Sequence, residues 1–361
     1  MKEKGKELDF LLGAVSPMGF SGHFSQVLGV TGKKRSVLIK AGPGCGKSTL
    51  MKKISVNLSG KGHEVELIHC SSDPDSLDGV ICRETGFSIV DATAPHTLEP
   101  LYPVACEEIL SLYQFLDKSK LQANRAEISE LFRRCGSLQE RAARYITAAG
   151  ALLSDSMRMA DSCIEHTKAK NFAAHLSDKY LPRAEGPGEE ECRLLSATTC
   201  KGQIFYENTI LKIADKELVI LEDDQGAASK FILRALRDAA LIKGHRVITC
   251  YCPMSPHEKI DHLLLPDVGV AFTTSNSFHP CTLTKDRRVI HCSRFVNDDT
   301  LKLRRQRLRF NRKAAAELLR QASLLQAEAK ENHDKLEKYY IEAVDFTALD
   351  KVAKELIQEL G

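Results

Sequence analysis

A chain of 361 residues is long enough for about two domains with separate hydrophobic cores. Its 43% apolar and 27% charged residues fit a globular chain and exclude disordered, collagen-like and membrane-spanning classes; no run of about 18 apolar residues occurs. A net charge of +3 does not by itself require a nucleic-acid or lipid partner, and without a signal-like start the expected compartment is the cytoplasm, with no membrane partner.

The twelve cysteines contain no CxxC pair, and Cys70, Cys250, Cys252 and Cys292 lie in apolar, strand-like runs, so reduced and mostly buried thiols are expected. Cys250 and Cys252 with a nearby histidine would supply part of a zinc site, but no second ligand pair has the spacing of one.

Val37-Leu38-Ile39 reads as a short strand. It leads into Ala41-Gly42-Pro43-Gly44-Cys45-Gly46-Lys47-Ser48-Thr49, then an amphipathic stretch from Leu50 to Leu58 that stops at Gly60. Strand, glycine-rich loop and helix in that order are what a phosphate-binding loop requires. Gly44 and Gly46 let the backbone approach a polyphosphate, and successive N–H groups converge on its oxygens at the positive end of the helix. Residues Gly42 to Thr49 are therefore the expected nucleotide-binding set. Lys47 supplies charge for the β- and γ-phosphates, and the Ser48 hydroxyl is placed for Mg²⁺. The motif's first position is Ala41 rather than glycine.

Val65 to Cys70 reads as a second strand, followed by a loop carrying Asp73, Asp75 and Asp78. Loops at strand ends form the ligand crevice of doubly wound sheets, so these aspartates and His69 are candidates for contacting substrate or positioning water. Asp and Ser are also ordinary turn residues. Gly86 to Asp91 is an apolar run ending in a carboxylate, which makes Asp91 the candidate second Mg²⁺ ligand and, with Lys47, the catalytic pair.

Shifted by 182 residues, Val37–Pro74 lies over Val219–Pro256 without a gap, and eight of 38 positions are identical, among them Gly44/Gly226, His63/His245 and Cys70/Cys252. A one-residue slip then pairs Gly86 with Gly269 and His96 with His279. The pattern indicates a duplication. The second loop, Asp223 to Lys230, keeps one glycine; Ser229 replaces the lysine, Lys230 sits about 100° further round the helix, and Thr274 stands where Asp91 would. Asp223 and Asp224 would face a polyphosphate with like charge, so this half is expected not to cradle a triphosphate. A rival reading takes Leu218 to Asp223 as the Mg²⁺-binding strand of a single ATPase split by a helical insert.

Two helical arms follow. Ile128, Leu131, Cys135, Leu138, Ala142, Tyr145, Ala149 and Leu152 form one heptad-like seam, and Leu308, Ala315, Leu318, Ala322, Leu325, Ala329, Leu336 and Tyr339 another, with Asn311 and Asn332 in phase. The proline- and glycine-bearing stretch 181–191 reads as a linker. Seven basic residues in the twelve from Lys302 to Lys313 offer a nucleic-acid contact or an arginine for the nucleotide site; a solvated helix face is the plainer reading, because no aromatic stacking platform accompanies them.

With the loop 42–49, the run His69-Cys-Ser-Ser-Asp-Pro-Asp-Ser-Leu-Asp-Gly79 and Val90-Asp-Ala-Thr-Ala-Pro-His96, the sequence resembles a family of bacterial tandem P-loop ATPases. The resemblance covers nearly the whole chain and implies an α/β fold of two P-loop NTPase-like three-layer units, each followed by a long helical arm, over residues 1–185 and 186–361. In that family the second loop often appears intact, a point on which this sequence departs. Three functions stay open: Mg²⁺-dependent hydrolysis of ATP or GTP coupled to motion between the halves, transfer of the γ-phosphate to a small molecule near Asp73, Asp75 or His96, and nucleotide sensing without turnover.

Overall fold

A computed structural model describes residues 4–28, 35–283 and 287–360. In the first repeat, β1 (Glu7–Phe10), a hairpin of β2 (Gly13–Ser16) and β3 (Gly19–Gly22), β4 (Arg35–Lys40), α1 (Lys47–Gly60), β5 (Val65–His69), β6 (Leu77–Cys82), β7 (Phe87–Asp91) and β8 (Glu107–Ser111) lead to α2 (Lys118–Ala123), the long α3 (Arg125–Asp161) and α4 (His166–Tyr180). The second repeat runs the same course. It comprises β9 (Glu189–Arg193), β10 (Ser196–Thr199), β11 (Gly202–Phe205), α5 (Glu207–Ile213), β12 (Glu217–Glu222), α6 (Ala227–Ile242), β13 (Arg246–Tyr251), β14 (Ile260–Leu265), β15 (Val270–Ser275), β16 (Arg287–His291), α7 (Asp298–Lys302), α8 (Arg305–Ile341) and α9 (Phe346–Glu359). Duplication thus extends well beyond the segment where identical residues reveal it.

Each repeat forms a six-stranded mixed sheet, β1-β5-β6-β7-β4-β8 and β9-β13-β14-β15-β12-β16. The third strand of each, β6 or β14, runs antiparallel to both neighbours. The loop expected to carry Asp78 ends before it: Asp78 is a buried residue of β6. The rival reading of Leu218–Asp223 is overturned by the same topology. Its strand is β12, in the second sheet between β15 and the edge strand β16, while β4 lies in the first sheet between β7 and β8.

Alternation along the strands sends one face of each sheet outward and the other toward the sister sheet. Leu38, Ile68 and Val90 share a core with Leu218, Ile220, Ile248, Leu264 and Ala271, filled in by Phe24, Val27, Ile210 and Ile213. The outer faces carry the helices, but these are exchanged. Val37, Ile39 and Ile89 pack under α1, whose Leu50, Ile54 and Leu58 meet Leu349, Ala353 and Leu356 of α9. Conversely, Val219, Leu221 and Phe272 lie under α6, and Ala169, Ala173 and Leu176 of α4 belong to that cluster. The chain passes from the first repeat to the second between Tyr180 of α4 and Glu189 of β9, and each α/β unit takes its last helix from the other repeat.

The arms pack on each other. Cys135 of α3 donates to Ala329 O of α8, and Asn311 of α8 reaches Leu152 O and Ser156 Oγ of α3, so the helices run antiparallel. Leu138, Ala142, Ile146 and Ala149 meet Ala315, Leu319, Ala322 and Leu325. Ile146 and Leu319 take the buried places expected for Tyr145 and Leu318, because a straight helix drifts against a heptad. In the basic run, Arg304 donates to Met159 O, Arg307 pairs with Asp155 at 2.7 Å, and Arg312 lies 3.8 Å from Asp224.

One buried ion pair joins the two sheets. Arg193 Nε of β9 is 2.7 Å from Glu66 Oε2 of β5, with Arg246 Nη2 3.7 Å from the other oxygen. Removing Glu66 leaves the buried Arg193 guanidinium without its hydrogen-bonded carboxylate and with only Glu191 near it among the described carboxylates, so Glu66→Ala should cost about 3 kcal/mol in urea unfolding; a loss below about 1 kcal/mol would mean that water reaches the pair.

Candidate functional site

β4 ends beside β7 with Ile39 level with Asp91, which brings this carboxylate to the foot of the glycine-rich loop. Gly44 and Gly46 have φ of +64° and +78°, the left-handed region that glycine enters without strain, and α1 starts at the next residue, Lys47. The Lys47 ammonium folds back over the loop, 3.1 Å from Gly42 O, 3.4 Å from Ala41 O and 3.1 Å from Asp91 Oδ2. Asp91 Oδ1 is held by Thr93, whose N–H and hydroxyl donate to it at 2.9 and 2.6 Å. Ser48 Oγ accepts from Leu77 N at 3.0 Å, which fixes the hydroxyl against the start of β6. Cys45 is buried under α1, and burial pushes its thiol pKa up, so it acts as packing rather than as a nucleophile.

Asp78 and His96 join this group. His96 Nε2 is 3.5 Å from Asp78 Oδ2, and donor atoms of Asp78, Asp91 and His96 lie within 4.8 Å of one another. The imidazole stacks on Phe24 with centroids 4.3 Å apart. Burial alone would lower its pKa, but Asp78 and Asp91 outweigh that and raise it, which favours the imidazolium. The structure therefore gathers Lys47, Ser48, Asp91, Asp78 and His96. It places His69 elsewhere: its ring bonds Pro74 O at 2.8 Å and Asp9 at 3.0 Å and stacks on Tyr206, a scaffold role. Asp73 lies 3.4 Å from Lys330 of α8, and Asp75 pairs with Lys201 in the β10–β11 turn.

Sequence reasoning missed what covers the loop. A Cβ on Gly42 would come within 2.6 Å of the Tyr340 ring, one on Gly44 within 2.8 Å of Glu337 O, and one on Gly46 within 2.8 Å of Leu349. The last turns of α8 and the start of α9, from the second repeat, thus rest on the glycine-rich loop of the first. The only signal for this in the sequence was the amphipathic character of those helices, which does not name a partner.

The second loop is closed from within. Asp223 Oδ1 accepts from Gln225 N at 3.2 Å and Gly226 N at 2.9 Å, and Oδ2 accepts from Ser229 N at 2.8 Å. This carboxylate occupies the amides that a phosphate would need. The Lys259 side chain packs against Gly226 and its ammonium is 2.7 Å from Asp261 Oδ1, while Lys230 turns away to Glu258 at 3.5 Å. Asp261 and His279 are the repeat partners of Asp78 and His96. With His262 they form a second buried cluster beside a cavity of about 100 Å³ that Thr198, Gln203, Cys252 and Asn276 help to line. Burial drives the His262 pKa down to about 3 and lowers that of His279 against the pull of Asp261. Cys250 faces the core shared by the sheets, and the partly buried Cys252 lies next to Asp261; desolvation and that carboxylate raise its pKa to about 12. All twelve cysteines are free thiols.

Compared with family models, curated proteins and solved structures, the chain matches none of them. No helix among the described residues is long and apolar enough to cross a membrane.

Because Asp223 caps the N-terminus of α6, Asp223→Ala should destabilise the chain by about 1 kcal/mol, the usual worth of such a cap, in urea unfolding. An unchanged midpoint would show that solvent replaces the carboxylate at no cost.

Proposed function

We propose that the first repeat binds ATP or GTP with Mg²⁺ at Gly42–Thr49 and hydrolyses it slowly, and that the second repeat receives the resulting movement. The observation that carries this reading is the Lys47 ammonium 3.1 Å from Asp91, over a loop with Gly44 and Gly46 at positive φ at the head of α1. Loop amides and the helix end attract a polyphosphate, and Lys47 exchanges Asp91 for the β- and γ-phosphates when one arrives. Ser48 Oγ and the Asp91 carboxylate, freed from Lys47, are hard oxygen donors suited to Mg²⁺. The ion, when bound, supplies charge neutralisation between the phosphates. His96 and Asp78 lie beside these groups and can hold a proton close to the attacking water.

Movement has a direct route. Tyr340, Glu337 and Leu349 abut Gly42, Gly44 and Gly46, so a loop reshaped by phosphate pushes on α8, and through the seam on α3. The self-capped second loop fits a structure with one nucleotide site. Transfer to a small-molecule acceptor has less support, since Asp73 and Asp75 are engaged by Lys330 and Lys201.

Lys47→Ala removes a charged hydrogen-bond donor worth ~1.5–3 kcal/mol, so calorimetry should show Mg-nucleotide affinity falling about 10–150-fold. Asp91→Asn should retain nucleotide binding while steady-state phosphate release becomes insensitive to Mg²⁺. Undiminished affinity in Lys47→Ala would remove the site.

A further inference from the structure

The second cluster brings two imidazoles and a carboxylate together, and two of its polar atoms, His262 Nε2 and Asp261 Oδ2, have no hydrogen-bond partner among the described residues. His262 Nδ1 and the Thr273 hydroxyl share a hydrogen bond at 2.6 Å, in which Nδ1 donates when the ring carries its proton there. His262 Nε2 is then a bare acceptor, fully buried, with no hydrogen-bond partner among the described residues. Asn276 Oδ1 accepts from the N–H groups of Phe278 and His279, which turns its amide nitrogen toward His279 Nε2 at 3.2 Å. An amide nitrogen only donates, so His279 Nε2 is also an acceptor. Asp261 Oδ1 is answered by Lys259 at 2.7 Å and by Thr274 Oγ1 at 3.4 Å. Asp261 Oδ2 has no hydrogen bond, yet lies 3.3 Å from His279 Nε2.

Ligand atoms of Asp261, His262 and His279 lie within 4.8 Å of one another, and lone pairs gathered this closely inside a protein repel unless a proton or a cation lies among them. Ligands about 2.0–2.2 Å from a tetrahedral ion are about 3.3–3.6 Å apart, which matches the separation of Asp261 Oδ2 and His279 Nε2. We propose that Asp261, His262 and His279 bind a divalent transition-metal ion of the zinc class, with a fourth position open to the adjoining cavity.

Three further observations support the assignment. His262 gives its other ring nitrogen to Thr273, the arrangement that fixes a metal-binding imidazole. Phe205 stacks on His262 at 5.0 Å and tilts over His279 at 5.6 Å, which holds both rings in place. The Lys259 ammonium, 2.7 Å from Asp261 Oδ1, engages that oxygen and leaves Oδ2 toward His279 Nε2 at 3.3 Å. The two repeats also differ in the expected chemical sense. The first surrounds Asp78 and His96 with Asp91, an oxygen donor for Mg²⁺. The second replaces Asp91 by Thr274 and places His262 where the first has Gly79, and imidazole nitrogen selects zinc-like ions.

The test is titration of the full chain with Co²⁺ and Zn²⁺, read by absorption and by metal analysis after desalting. One equivalent should bind, with cobalt bands of a nitrogen–oxygen site and no intense thiolate charge-transfer band. His262→Gln and His279→Gln should lower affinity at least about 100-fold; Thr273→Val, which removes only the ring's orienting partner, should lower it about 10–100-fold. Lys47→Ala should leave it unchanged, which separates this site from the nucleotide site. Uptake well below one equivalent by the unaltered chain, a thiolate spectrum, or full affinity in Thr273→Val and the folded histidine variants would each overturn the proposal.

Discussion

Everything in this molecule depends on an exchange of helices. α1 is an amphipathic helix on the outer face of the first sheet, and its exposed flank needs Leu349, Ala353 and Leu356 of α9. In the same way α6 needs Ala169, Ala173 and Leu176 of α4. Neither repeat can bury its apolar surface with its own chain segment, so the two behave as one folding body despite the duplicated topology. The antiparallel α3–α8 seam, the core shared by the inner faces and the Arg193–Glu66 pair bind the same two partners together.

Against that symmetry the two loops differ by a few atoms with large chemical effect. In the first, Lys47 folds back over the loop onto Asp91 at 3.1 Å. In the second, Asp223 supplies the anion itself, and the buried lysine comes from residue 259. A carboxylate costs one residue and has the charge and the hydrogen-bonding oxygens to satisfy a helix N-terminus, so the backbone shape survives without its ligand. The Asp–His pair persists in both halves, beside Asp91 in the first and His262 in the second.

Much of this was legible in the sequence. The loop 41–49, the strand ending at Asp91 and the two arms were marked by short-range rules: glycine at positive φ, an apolar run closed by a carboxylate, and apolar spacing of three and four. β6 was not legible, because its Asp78-Gly79 pair reads as a turn, and only burial beside His96 explains an aspartate there. The choice of Ile146 and Leu319 over their seam neighbours came from helical drift. The cover of Tyr340 and Glu337 on the loop, and the convergence of His262 and His279, are contacts between residues far apart in the chain or on different strands. Local propensity carries no information on them.

The helix exchange also sets a schedule for biosynthesis. A growing chain exposes Leu50, Ile54 and Leu58 once the first sheet has formed, and their cover emerges only with Leu349 and Leu356. At about 5–20 residues per second that interval is roughly 15–60 s. Through it the nascent first unit presents a greasy groove of definite shape, which a ribosome-associated chaperone, or the same groove on a neighbouring nascent chain, would be the first to meet.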